Sequence, residues 1–270
     1  MDVSLPQAEG AASLEVDTAT ASTVHIPQYR RGAILAVWAA AALPMAALAW
    51  LIAPALARRL AGPGHVPMAK ALIVSLTVGL VWQFVLVAAL VRREQRSLRW
   101  STIREALWLR APRSPGGDRI GGRVWLVLIP LVLAFGAEQL VPSLPAPANR
   151  DLGAFLGSTV GQTFMHGAWV WFGVLCVSFV FNTVLGEELL FRGFLLPRMN
   201  GAFGRGDWVA NGLLFAAYHL HMPWAIPTAL LDTLIIAYPT KRYRSAWIGI
   251  AVHSAQSLFL AALVLALVVR

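Results

Sequence analysis

The sequence predicts an all-α, polytopic membrane helix bundle of about seven transmembrane helices, and three observations predict it. Of its 270 residues, 58% are hydrophobic and only 13% are charged, with a mean hydropathy of +0.65. Soluble domains carry about a quarter charged residues. The apolar residues gather in runs of roughly 20, the length at which a helix spans a hydrocarbon core of about 30 Å. Most arginines fall in short connections between those runs, where positive charge is retained on the cytoplasmic side.

The net charge of +9 and pI near 10.9 do not indicate a nucleic-acid partner. No basic helix is interleaved with exposed aromatics, and no zinc-finger or RNA-binding motif occurs. The expected partner on these grounds is the lipid bilayer. Cys176 is the single cysteine, which excludes an intrachain disulfide and a multi-cysteine metal site. It reads as a small buried hydrophobe.

Residues 1–31 read as a polar, mobile N-terminal tail without the apolar stretch of a cleaved signal peptide. Residues 32–270 read as the membrane domain. Its first span covers about Ala33 to Ala57, interrupted by Pro44 and Pro54, and its second about Ala71 to Val91. The arginine-dense connection from Arg92 to Arg123 places Ile103, Leu107 and Trp108 at helical spacing, which suggests a short amphipathic helix on the membrane surface. A third span covers about Val124 to Leu144, and a fourth, unusually long run Ala168 to Leu196. Trp208 to Leu220, Trp224 to Tyr238 and Ala246 to Val269 complete the seven, the Trp224 to Tyr238 piece being short enough to be re-entrant. The arginine and lysine connections share one face when the N-terminus is cytoplasmic, and a bacterial plasma membrane is the expected location. Arg58 and Arg59 conflict with that scheme.

Ionisable groups inside spans each cost about 2.5–3.5 kcal/mol at mid-helix, so they mark function first. Glu188 and Arg192 are four apart and form an ion pair on one helical face. Glu187 points about 100° away with no local cation, so its partners must come from other helices. His219 and His253 each lie on a separate apolar segment. A lone histidine in a span is more often an interhelical hydrogen bond than a catalyst. Two of them with one unpaired glutamate form a hydrolytic set, in which Glu takes a proton from water and His orients it or stabilises an oxyanion. The same three side chains would be the ligands if a divalent metal, zinc, is used, although the compact zinc-protease helix motif is absent. His221, two residues from His219, belongs to another helix face. Asp232 pairs elsewhere, Glu138 snorkels or bonds a neighbour, and Asn182 and Asn211 read as interhelical bonds.

Glu187-Glu188-Leu189-Leu190-Phe191-Arg192-Gly193 resembles the EExxxR motif of the CPBP family, the CAAX-protease and bacteriocin-processing intramembrane proteases. Phe215 to His219 resembles that family's FxxxH motif, and His253 its final histidine motif, in the same order. The basic turn Pro239 to Ser245 is similar to the one preceding the last motif. The resemblance covers a core of about residues 168–268. It implies an intramembrane endopeptidase in which Glu187, His219 and His253 are catalytic. Glu188 and Arg192 would be supporting residues, and the substrate a peptide or protein, prenylated or not. The family's Asn or Asp four residues after the last histidine is Ser257 here, with Gln256 near the same face. Two rival readings are a catalytically weak immunity or scaffold member and a small proton-coupled transporter. A transporter should repeat broken helices across two halves, and no such repeat is present.

If the fourth run starts at Ala168, Glu187 lies about 28 Å along it, near the cytoplasmic end. His253 lies nearer mid-membrane. The set converges only if that helix is long and tilted, or continues to about Leu196.

Overall fold

A computed structural model describes residues 24–138, 140–141 and 144–270. It is all-α, with 77% helix and, among the described residues, no strand beyond an isolated bridge between Arg113 and Ile120. Among the described residues, four helices are long and apolar enough to cross a membrane: Arg31–Ala57 (α1), Val66–Gln95 (α2), Trp169–Arg198 and Ala246–Val269. Between α2 and the third of these lie Trp100–Ala106 (α3), Leu128–Glu138 (α4), Leu152–Gly157 (α5) and Thr159–Met165 (α6). Trp169–Arg198 is therefore α7, followed by Asp207–Tyr218 (α8), Ile226–Ala229 (α9), Tyr238–Tyr243 (α10) and Ala246–Val269 (α11). Leu51, Val78, Val170, Leu258 and Phe259 stand exposed on the four long helices, the apolar exterior that a bilayer covers.

The prolines of α1 show how the chain repairs itself. Pro44 has no N–H, so the carbonyl of Ala40 loses its helical partner. The Trp82 indole of α2 donates to that carbonyl at 2.8 Å. Residues Leu48–Ile52 wind as a π-helix, and the Ala53 N–H reaches back to Leu48. In that register the carbonyl of Ala49 would need a proton from Pro54, which has none. The Arg150 guanidinium supplies it at 2.8 Å while its Cζ sits 4.0 Å over the Trp50 ring.

The core forms where α1, α2, α7, α8 and α11 meet, around Met45, Leu80, Phe191, Phe194, Phe215 and Tyr218. Gly249 permits the closest approach of α11 to α7, since a Cβ there would stand 2.5 Å from Glu188 Oε2. The α5 and α6 turns are capped by Asp151, which accepts from Ala154 N–H, and by Ser158, which accepts from Gly161 N–H.

Three expectations change. The segment read as a third span is short: a 3₁₀ stretch, Gly122–Val127, leads into α4, while residues 139, 142 and 143 lie outside the described set. The Trp224 to Tyr238 piece is broken, not one helix. Prolines 223, 227 and 239 divide it into a 3₁₀ turn, α9, the π turn Thr233–Ala237 and α10. The expected surface helix is α3, but its apolar side lies in protein. Ile103 packs against the main core, and Ala106 at the end of α3 and Leu107, Trp108 and Leu109 just beyond it are buried in it. The carbonyl of Trp108 accepts from the first N–H of α11 at 2.9 Å, so its apolar area is satisfied by α7 and α11 before lipid can reach it. The expected N-terminal tail falls outside the described residues up to position 23. Residues 24–30 carry no regular secondary structure, and the Tyr29 N–H donates to the Arg198 carbonyl at 2.9 Å.

Candidate active site

Helix α7 runs unbroken through Arg198, which lets the three motifs converge. It contains two π-helical stretches, Phe181–Gly186 and Leu189–Leu195, which flank the Glu187-Glu188 pair. Such insertions are rare and gather at functional sites. Here the wider turn brings residues five apart together. With its amide nitrogen facing the carboxylate, Asn182 donates to both oxygens of Glu187 at 3.0 and 3.2 Å. From α8, the Tyr218 hydroxyl accepts from Gln83 of α2 at 2.6 Å and turns its own hydrogen towards Glu187. Glu187 is thus held by neutral donors and no ion pair.

Glu188 is held differently. Its Oε1 accepts from His253 Nδ1 at 3.1 Å, and its Oε2 lies 3.5 Å from Arg192 Nε. All three side chains are buried. The guanidinium has no hydrogen-bond acceptor among the described residues. Its Cζ sits instead 3.9 Å over the Phe215 ring, a cation–π contact. Phe215 is also the spacer between the histidines, edge-on to His219 at 5.0 Å and to His253 at 6.5 Å. Nδ1 of His219 is 3.0 Å from the Phe215 carbonyl. A carbonyl only accepts, so this nitrogen carries the proton and Nε2 is a free acceptor. Nδ1 of His253 likewise donates to Glu188, which fixes its tautomer.

Glu187, His219 and His253 line one cavity of about 450 Å³. Its apolar wall includes Ile73, Leu76, Leu80 and Phe179, and Asn182 and Gln256 also line it. Ser257 is buried but does not line the cavity, so of the two residues that follow His253 Gln256 is the one facing it. Asn211 is an interhelical bond, donating to the Phe191 carbonyl at 2.8 Å.

Three residues set aside on sequence grounds line the same cavity: His221, Asp232 and Glu138. His221 was assigned to another face on the assumption of an α-helix. Residues His219–His221 form a 3₁₀ turn, and the two rings stack 5.5 Å apart at 24°. Glu138 on α4 and Asp232 at the start of the π turn are both buried against the cavity. One buried oxygen on each, Glu138 Oε2 and Asp232 Oδ1, has no partner among the described side chains. Tyr218 and Gln83 were missed outright. Gln83 carried a usable signal, as the lone amide in the Ala71 to Val91 run.

The donor set was tested for a metal. Among the described residues no three His, Cys, Asp or Glu side chains stand close enough together to hold one ion. Both Nδ1 atoms are committed, to Glu188 and to the Phe215 carbonyl, so a zinc ion would be held by Glu187 and the two Nε2 atoms, which do not stand together as a preformed ligand set.

A family model described as Type II CAAX prenyl endopeptidase Rce1-like matches residues 150–259. This stretch belongs to the Rce1-like family. The Rce1-like domain begins at the Arg150 that steadies α1, takes in α5 and α6, and contains Glu187, His219, His253 and Ser257. Its α7 and α11 include two of the four helices able to cross a membrane, and the chain is an integral membrane protein. No curated protein and no solved structure matches the chain.

Proposed function

We propose that this protein is an intramembrane endopeptidase in which Glu187 activates water for attack on a peptide carbonyl. The observation that carries the reading is the contrast between adjacent carboxylates. Glu188 is occupied by Arg192 and His253, whereas Glu187 faces the cavity with neutral donors only. A carboxylate in an ion pair is a poor base, and one with no cation bonded to it is a better one.

The tautomers divide the histidine roles. Water donates one hydrogen to Glu187 and the other to the free Nε2 of His219, which aims its oxygen lone pair into the cavity. As the oxygen bonds to the carbonyl carbon, Glu187 takes the proton. The developing oxyanion needs donors. His253 donates from Nε2 when its ring carries both protons, with Glu188 stabilising the charge. The Gln256 amide, which lines the cavity, supplies a second donor. The proton on Glu187 then passes to the departing nitrogen, the C–N bond breaks, and an amine and a carboxylic acid leave. Asp232 and Glu138, which line the same cavity, are further groups able to protonate that nitrogen.

The test uses full-length protein in detergent with quenched peptides, prenylated and unprenylated. Cleavage by the native chain and its loss in Glu187→Gln are the expected results. Cleavage that persists in Glu187→Gln would sink the mechanism. Chelator-sensitive cleavage restored by zinc would replace direct glutamate activation with metal chemistry. Tight peptide binding without cleavage would favour the scaffold reading that Ser257 invites. The arginine-rich connections support a cytoplasmic N-terminus, which labelling of a cysteine introduced near Arg99 in sealed cells would check.

A further inference from the structure

A second cavity, of about 490 Å³, opens away from the catalytic set, where the loop after α3 meets the turn between α10 and α11. Five cations line it: Arg113, Arg205, Lys241, Arg242 and Arg244. No acidic side chain does. Lys241 is tied to the buried Asp207. The four arginines have no acidic partner among the described residues.

Hydrogen bonds to backbone carbonyls tie together the two segments that wall the cavity. Arg113 N–H donates to the Tyr243 carbonyl at 2.9 Å, and Ser245 Oγ to the Arg110 carbonyl at 2.5 Å. Arg244 adopts a left-handed backbone, φ 50°, and its carbonyl accepts from Arg110 Nε at 3.1 Å. That conformation is costly for a residue with a Cβ and is kept only where neighbours enforce it. Trp208 and Tyr238, rings 5.0 Å apart, form one wall, and such aromatics sit at the headgroup level of membranes. Arginines that merely bias topology need only lie on the correct side. Here four converge on one concavity without a counter-charge, a repulsive arrangement that an anion relieves.

We infer that this cavity binds a phosphate group, supplied by the headgroup of an anionic lipid at the membrane surface. Guanidinium forks match phosphate oxygens two at a time, and basic pockets beside transmembrane helices are where anionic headgroups dock. The position joins the site to the catalytic core, since the turn that carries Lys241, Arg242 and Arg244 leads directly into the helix that bears His253.

Full-length protein in neutral detergent is titrated calorimetrically with dihexanoyl phosphatidylglycerol, dihexanoyl phosphatidylcholine and inorganic phosphate. Phosphatidylglycerol should bind at least about tenfold tighter than phosphatidylcholine, and Arg113→Gln/Arg242→Gln should remove that preference. Both positions are exposed, so the thermal unfolding midpoint should hold. Arg113→Lys/Arg242→Lys keeps the charge, loses the fork, and should fall between the two. Arg92→Gln/Arg99→Gln, removing equal charge elsewhere, should leave the preference intact. Phosphate binding as tight as the lipid's would support the site and name a soluble anion as its source. Equal loss in the Arg92/Arg99 control, or no preference between the two lipids, would overturn the inference.

Discussion

Helix α7 carries two wholly buried arginines, and their surroundings differ in kind. Arg198, at its end, is satisfied at every nitrogen. It donates to both oxygens of Glu94 at 2.6–3.1 Å and to the carbonyls of Ala106 and Phe194 at 3.1 and 2.8 Å. Glu94 also accepts from Tyr29, whose ionisation burial, and then Glu94, push upward. Arg192, one and a half turns earlier, has no hydrogen bond among the described residues, only Glu188 at 3.5 Å and the face of Phe215. The first arrangement ties together α2, α3, α7 and residues 24–30, and its chemistry is exhausted. The second keeps a cation buried behind the cavity, beside Glu188 and under Phe215, with its charge only partly answered. Full satisfaction marks structure; a buried charge left short marks a working site.

Substitutions sharpen this contrast, and the largest effect is expected on activity. Glu187→Gln should lower cleavage of a quenched peptide by about 10²–10⁴-fold, the range of a lost general base, with the unfolding midpoint unchanged. Arg198→Met should lower stability by about 3–5 kcal/mol, because Glu94 is left buried and unpaired; denaturant titration in mixed micelles measures it. Arg192→Met strands Glu188 at a similar initial cost, about 3–5 kcal/mol. The double variant Glu188→Gln/Arg192→Met should recover most of that stability yet stay impaired in cleavage, because His253 loses the acceptor that orients it. Recovery of both properties would place Arg192 with Arg198, as structure alone. The smallest effect belongs to Tyr29→Phe, about 1 kcal/mol for one hydrogen bond, with cleavage untouched.

Much of the fold was legible because its signals are local. A run of apolar residues long enough to span is read from composition, and the four long helices lie where those runs do. The Glu188–Arg192 pair follows from i, i+4 spacing and survives even the π turn that starts at Leu189. Failures occurred where helix regularity failed. His221 was misplaced by assuming an α-helix through a 3₁₀ turn, and Asn182 reaches Glu187 across the five-residue spacing of a π stretch. The apolar stripe of α3 was correctly found and wrongly assigned to lipid, since a stripe does not reveal what covers it.

The sequence by itself determined that this chain enters the membrane, and that Glu187, not Glu188, is the glutamate without a local cation. Both follow from residue type and short-range spacing. Only the tertiary structure decided which distant groups meet: His253 on Glu188, Tyr218 and Gln83 beside Glu187, and Asp232 and Glu138 in the same cavity. These pairings rest on where α7 is wound wide and where Gly249 lets α11 come close. Such features depend on packing between segments far apart in the chain, which no local pattern records.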